Sequence, residues 1–223
     1  MKLAIAVVCC SFALSGAAHA LPADLAADLV RAAPGINPDV VRLAVESLGC
    51  ASRAQGSQQP RRLAVIDYSR PSAQPRLWVF DLQVRTLLLM ERVAHGRDSG
   101  ENTTTRFSNL PGSHQSSLGL FRTSNTYTGH NGYSLRLDGL EPGFNDRARE
   151  RAIVIHGASY VSDKTISQRG GVGRSWGCPA VRLEIARSLI DAIKDGQYLF
   201  AYYPDTQWLQ HSPLRSCPLV ARN

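Results

Sequence analysis

The sequence has 223 residues, 43% of them hydrophobic and 19% charged, a balance that excludes a disordered or fibrous chain and fits one domain of ordinary size with a small appendage. Lys and Arg total 25 against 18 Asp and Glu, a formal net charge of +7. The basic residues are scattered, with Arg147, Arg149 and Arg151 the densest run, read as solvated surface; the pattern argues against nucleic-acid binding and for attraction to anionic surfaces.

In chain order, the first predicted element is an export signal over residues 1–20. Lys2 precedes an apolar run from Leu3 to Leu14, and small residues end in Ala18-His19-Ala20, an A-x-A cleavage pattern. No other stretch approaches eighteen apolar residues, so no integral membrane segment is expected, and the mature chain is expected in the periplasm or cell envelope. Export also places the remaining cysteines, Cys50, Cys178 and Cys217, in an oxidising compartment. Their odd number leaves one thiol over. The favoured pairing is Cys50 with Cys217, leaving Cys178 free, although sequence does not choose among the three pairings.

Residues 21–61 read as a helical leader and linker, and 62–223 as the main, strand-rich domain. Leu21 to Ala33 is a short helix; Asn37-Pro38 caps and starts a second, predicted to stop at Gly49. Arg53 to Arg61 is a polar linker. Strand patterns follow at Leu63–Tyr68, Arg76–Asp81 and Thr86–Ala94, close enough for an antiparallel meander. The Gly-, Ser-, Thr- and Asn-rich stretch from His95 to Ser117 is too long for a passive connection. Leu118–Arg122, Tyr133–Leu137, Ala152–His156 and Tyr198–Tyr203 are further strands. Pro179 to Lys194 is the clearest helix, with Ile185, Ala186, Leu189, Ile190 and Ile193 on one face. The fold class expected is α+β, rich in β-structure.

Two segments carry chemistry. Ile153-Val154-Ile155-His156-Gly157 ends a strand with a histidine, which on its own is more often a satisfied core residue. Gly173-Arg174-Ser175-Trp176-Gly177-Cys178-Pro179 changes that balance. With Pro179 as the first helical residue, Cys178 falls at the N-cap, where the helix dipole and free N–H groups favour a thiolate. Those N–H groups, with Gly177 allowing close approach, are the expected oxyanion donors. His156 is the expected base that accepts the thiol proton.

These residues resemble the L,D-transpeptidases of the YkuD-like type. That family carries His-Gly ahead of an S/T-H-G-C signature, matched here by His156-Gly157 and Ser175-Trp176-Gly177-Cys178. The G-R-S-W-G-C-P-A form is closest to the murein L,D-transpeptidase catalytic domain subgroup, and Ser116-Ser117-Leu118-Gly119-Leu120-Phe121 looks like the family's cleft-building T-P-x-G-x-F strand. The resemblance covers about Leu63 to Tyr203. It implies a mixed β-sandwich or barrel-like fold with a helix following the nucleophile. It also implies peptidoglycan stem peptides as partners, a monomer, and a thioester reaction needing neither cofactor nor metal. By the same resemblance Gly157 holds the His156 ring through its carbonyl, and Ser175 lines the site. Arg174, Ser117, Gly119, His114 and Arg182 are expected around the cleft. Trp176 replaces the signature's second histidine, for which His114 and His130 are possible substitutes. Ala180 and Val181 stand where the signature usually has an Asn or Arg; Arg182 either replaces that function or simply faces solvent. The interval from His156 to Cys178 is longer than usual by a few residues, and Gly170-Gly171-Val172-Gly173 is expected to absorb it as a flexible lid.

Sortases use His then Cys at a wider interval with a later strand arginine, which this chain lacks; papain-like peptidases reverse the order. Hydrolysis of the same bond, or a wall-binding protein with a degenerate site, are the other readings. The latter would tolerate loss of Cys178.

Overall fold

Residues 21–55 and 60–215 are described in the computed structural model. The expected signal segment and Cys217 lie outside the described residues.

The leader forms two helices, α1 (Leu25–Ala32) and α2 (Pro38–Gln55). Asn37 Oδ1 accepts the Asp39 N–H at 2.9 Å, and Pro38 at the first helical position has no N–H to leave unpaired. Contrary to the expected stop at Gly49, α2 continues to Gln55. A mid-helix glycine costs about 1 kcal/mol, which burial of Leu48, Cys50 and Ala51 along this turn offsets. Both helices share one apolar core with the sheet, through Leu25, Leu29, Val40, Val41, Ala44 and Leu48.

Eight strands form one sheet: β1 (Arg62–Asp67), β2 (Leu77–Asp81), β3 (Thr86–Glu91), β4 (Gly119–Gly129), β5 (Gly132–Gly139), β6 (Val154–Gly157), β7 (Ala180–Val181) and β8 (Tyr198–Tyr202). Their order is β3-β2-β1-β8-β4-β5-β6-β7. The predicted meander β1-β2-β3 is present and antiparallel. The central strands β1 and β8 run parallel, and their continuous apolar sequences match burial on both faces. The β4–β5 hairpin is longer than predicted, extending to a turn at His130-Asn131 with Gly132 in the left-handed region (φ 71°).

Beyond β3 the chain returns to the other end of the sheet. Ala94 bridges Ala180 of β7, and Gly96 bridges Ser175. The sheet therefore nearly closes on itself, in keeping with the expected β-rich fold. Helix α4 (Leu183–Ile193) packs Ala186, Leu189, Ile190 and Ile193 inward, and contacts β6.

Two further expectations are corrected here. Pro179 does not open a helix: Ala180-Val181 is a fully buried strand parallel to β6, and α4 starts only at Leu183. Sheet closure, with the Ala94 N–H donating to Ala180 O at 2.8 Å and that of Ala158 to Val181 O at 2.8 Å, outweighs local helical preference. The longer interval between His156 and Cys178 is taken up by a helix, α3 (Asp163–Arg169), capped by Ser162 and ended by left-handed Gly170. Gly171, Val172 and Gly173 form no lid, because they are buried. A Cβ on Gly173 would fall 2.5 Å from that of Tyr160.

Candidate active site

His156 lies on β6 opposite Ala180 of β7. Cys178, two residues before Ala180, sits in the turn that enters β7, which brings thiol and imidazole to neighbouring strand ends. Cys178 is a free, half-buried thiol. Its Sγ accepts the Val154 N–H at 3.4 Å and donates to the Ala152 carbonyl at 3.6 Å. Ala152 presents that carbonyl from a left-handed conformation (φ 53°), a strained state for a residue with a Cβ and one found preferentially at functional sites. No hydrogen bond joins the thiol to His156 among the described residues.

The thiol is not at a helix N-cap, so the expected dipole contribution is absent. Burial pushes its pKa up, while the Val154 N–H and the Arg151 guanidinium pull it back. His156 is 4% exposed. Its Nδ1 stands 3.0 Å from the Gly157 carbonyl; a carbonyl only accepts, so the ring proton sits on Nδ1 and the Nε2 lone pair is free. Burial holds this imidazole below its ordinary pKa, with the Gly157 carbonyl pulling the other way. A Cβ on Gly157 would also come 2.8 Å from Ala186 Cβ, so the same glycine lets α4 dock behind His156.

The turn carrying Cys178 is held from both sides. Ser175 Oγ accepts the Gly177 N–H at 3.1 Å and donates to the Cys178 carbonyl at 2.6 Å. Ser116 Oγ donates to the Gly177 carbonyl at 3.3 Å. Gly177 has φ 119°, and a Cβ there would lie 2.9 Å from both Gln115 O and Ile153 Cδ1. Ser175 has already engaged the Gly177 N–H, so that N–H is not a free oxyanion donor, and the glycine gives the turn its shape.

The other expected residues separate. Trp176 is 70% exposed, with the His114 ring 5.1 Å away and the Arg97 guanidinium 5.9 Å away. His114 is thus brought beside the position of the signature's missing imidazole, whereas His130 lies in the exposed β4–β5 turn. Ser117 reaches the site indirectly, accepting Arg151 Nη1 at 2.6 Å. Arg174 pairs with Glu101 at 2.6 Å on the rim. Arg182 is turned to Glu91, at 2.5 Å. Gly119 (φ 101°) faces the buried Glu141 carboxylate, which a Cβ would approach to 2.4 Å; its part is structural. Cys50 is disulfide-bonded.

Sequence reasoning missed two groups. Arg151, read as solvated surface, is half-buried beside the Gly177–Cys178 turn. His95 and Arg76 are both fully buried behind it: Arg76 Nη2 donates to His95 Nδ1 at 2.7 Å, and His95 Nε2 donates to the Gly100 carbonyl at 3.2 Å. The His95 carbonyl accepts the Ser175 N–H at 2.9 Å, which ties this buried pair to the turn that carries Cys178.

Among solved structures, an L,D-transpeptidase from Mycobacterium smegmatis is 11% identical, with TM-score 0.42 over 65% of this chain and 59% of that one. The L,D-transpeptidase LdtMt1 in complex with imipenem is 13% identical, with TM-score 0.40 over 64% and 59%. A fused zinc-dependent amidase/peptidase/peptidoglycan-binding protein from Clostridium acetobutylicum is 15% identical, with TM-score 0.39 over 76% and 64%. This chain therefore spans less than two thirds of each of those chains. Comparison with curated proteins gives no match. Residues 32–202, which include both segments carrying the site, match the sequence profile of the L,D-transpeptidase catalytic domain. The chain belongs to the L,D-transpeptidase catalytic-domain family.

Proposed function

We propose that the protein is an exported, monomeric peptidoglycan L,D-transpeptidase with Cys178 as nucleophile and His156 as base. The observation that carries this reading is the pairing of a free thiol at the entry to β7 with an adjacent β6 imidazole whose Nε2 is left open by the Nδ1 bond to Gly157.

In the first half-reaction the thiol proton leaves the Ala152 carbonyl and passes to His156 Nε2. Sγ forms a bond to the carbonyl carbon of the third, L-centred stem residue. The C–N bond to D-alanine breaks, and His156 returns the proton to the departing amine. In the second, the amine of another stem peptide attacks the thioester and gives its proton to the imidazole. The amide forms as the C–S bond breaks, and Sγ leaves taking that proton back from His156. The low imidazole pKa keeps the base neutral at the start of each half-reaction. The Val154 N–H aimed at Sγ favours the charged sulfur between them.

Intact-mass analysis tests the assignment. Wild-type protein incubated with a tetrapeptide stem or a carbapenem should gain a covalent acyl adduct that Cys178→Ala lacks. A folded wild-type protein that gains none from either reagent sinks the enzyme reading in favour of a wall-binding protein.

A further inference from the structure

A nucleophilic sulfur needs a source of positive potential, and the helix dipole expected from sequence is not there. Arg151 is the group that occupies the corresponding place. Its Nη2 would be 3.4 Å from a Cβ on Gly177, which puts the guanidinium against the turn that delivers the thiol. The following residue, Ala152, carries the carbonyl that receives the thiol hydrogen.

All the oxygens holding Arg151 are neutral. Nη1 donates to Ser108 O and Ser117 Oγ, each at 2.6 Å. Nη2 donates to Gln115 O at 2.6 Å and Ser113 Oγ at 3.2 Å. No carboxylate pairs with it among the described residues, unlike Arg149, which forms a fork with Asp138. A half-buried cation satisfied only by hydroxyls and carbonyls keeps its charge available to its surroundings. The other titratable groups whose charge reaches the thiol are the phenols of Tyr68 and Tyr160, and burial keeps both protonated. His156 is neutral before reaction.

We infer that Arg151 is a positioning residue for the nucleophile: its uncompensated guanidinium, clamped beneath the Gly177–Cys178 turn, stabilises negative charge on Sγ as the proton departs. The clamp fixes where that charge sits, because four bonds to residues 108–117 leave the fork little freedom. The inference rests on Cys178 being the nucleophile of the proposed reaction. It concerns the thiol's acidity, so it is testable without any substrate.

The test is the pH dependence of Cys178 alkylation by iodoacetamide in the full-length protein, with folding of each variant checked by circular dichroism. Arg151→Gln should raise the alkylation midpoint by about one pH unit, the low end of the range for loss of a nearby opposite charge. Arg151→Lys keeps the charge and loses the fork, and should titrate close to wild type. A folded Arg151→Gln with an unchanged midpoint overturns the inference. Where Arg151→Gln does not fold, Arg151→Lys decides: a wild-type midpoint upholds the role of charge, and a raised one contradicts it. Failure of the stem peptide to acylate the protein would leave this titration readable, so the two claims fail separately.

Discussion

Acidification should loosen the platform under the Cys178 turn through one buried histidine. His95 is 0% exposed, and burial with the Arg76 charge holds its pKa at about 4, against an ordinary 6.5. The folded pKa lies below the unfolded one, so the unfolded chain binds the extra proton first. The stability from keeping His95 neutral is complete above pH 6.5 and is lost as pH falls from there to about 4. At about 1.4 kcal/mol per pH unit, the gap amounts to about 3 kcal/mol. His95→Gln isolates this contribution: the amide oxygen can still accept from Arg76 and the amide nitrogen can still donate to Gly100 O, with no proton to gain. Denaturant unfolding of both proteins across this interval should show the wild type losing about 3 kcal/mol more than the variant. Parallel losses in the two would refute the reasoning, since the pH dependence would then come from other groups.

Three further outcomes follow from the site. Gly177→Ala forces a Cβ to 2.9 Å from Gln115 O at φ 119°, and should cost about 1–3 kcal/mol in thermal or denaturant unfolding, with slower alkylation of Cys178. Ser175→Ala removes the hydroxyl that joins the Gly177 N–H to the Cys178 carbonyl. It should destabilise by about 1–3 kcal/mol and slow acylation while the thiol remains present by mass; an unchanged acylation rate would show that the turn holds itself. The rate of acylation by a stem peptide should persist below the ordinary histidine pKa of 6.5, because burial keeps His156 neutral there. A limb rising only above 6.5 would contradict that assignment.

The parts of this fold that were readable in the sequence are those written in repeating apolar patterns. Strands β1, β2 and β8 are continuous apolar runs, and α4 has a full buried face. Strand β7 was not readable, because two residues carry no period and Ala180-Val181 becomes a strand only when Ala94 closes the sheet from far along the chain. Helix α3 buries none of its residues; its only marks were Ser162 before it and Gly170 after it. At the site, His156 and Cys178 stood out because glycines and a strand end surround them. Arg151 did not, since an arginine in a run of arginines looks solvated. Its burial is decided by residues 108–117 folding over it, and nothing local to Arg151 encodes that.

The most direct measurement is peptide mapping of the protein after a single turnover with a tetrapeptide stem, paired with assay of released D-alanine. The account predicts acylation on the peptide that contains Cys178, with about one D-alanine freed per acyl group and none freed by Cys178→Ala. Acyl mass on any other residue, or D-alanine release by Cys178→Ala, would contradict it.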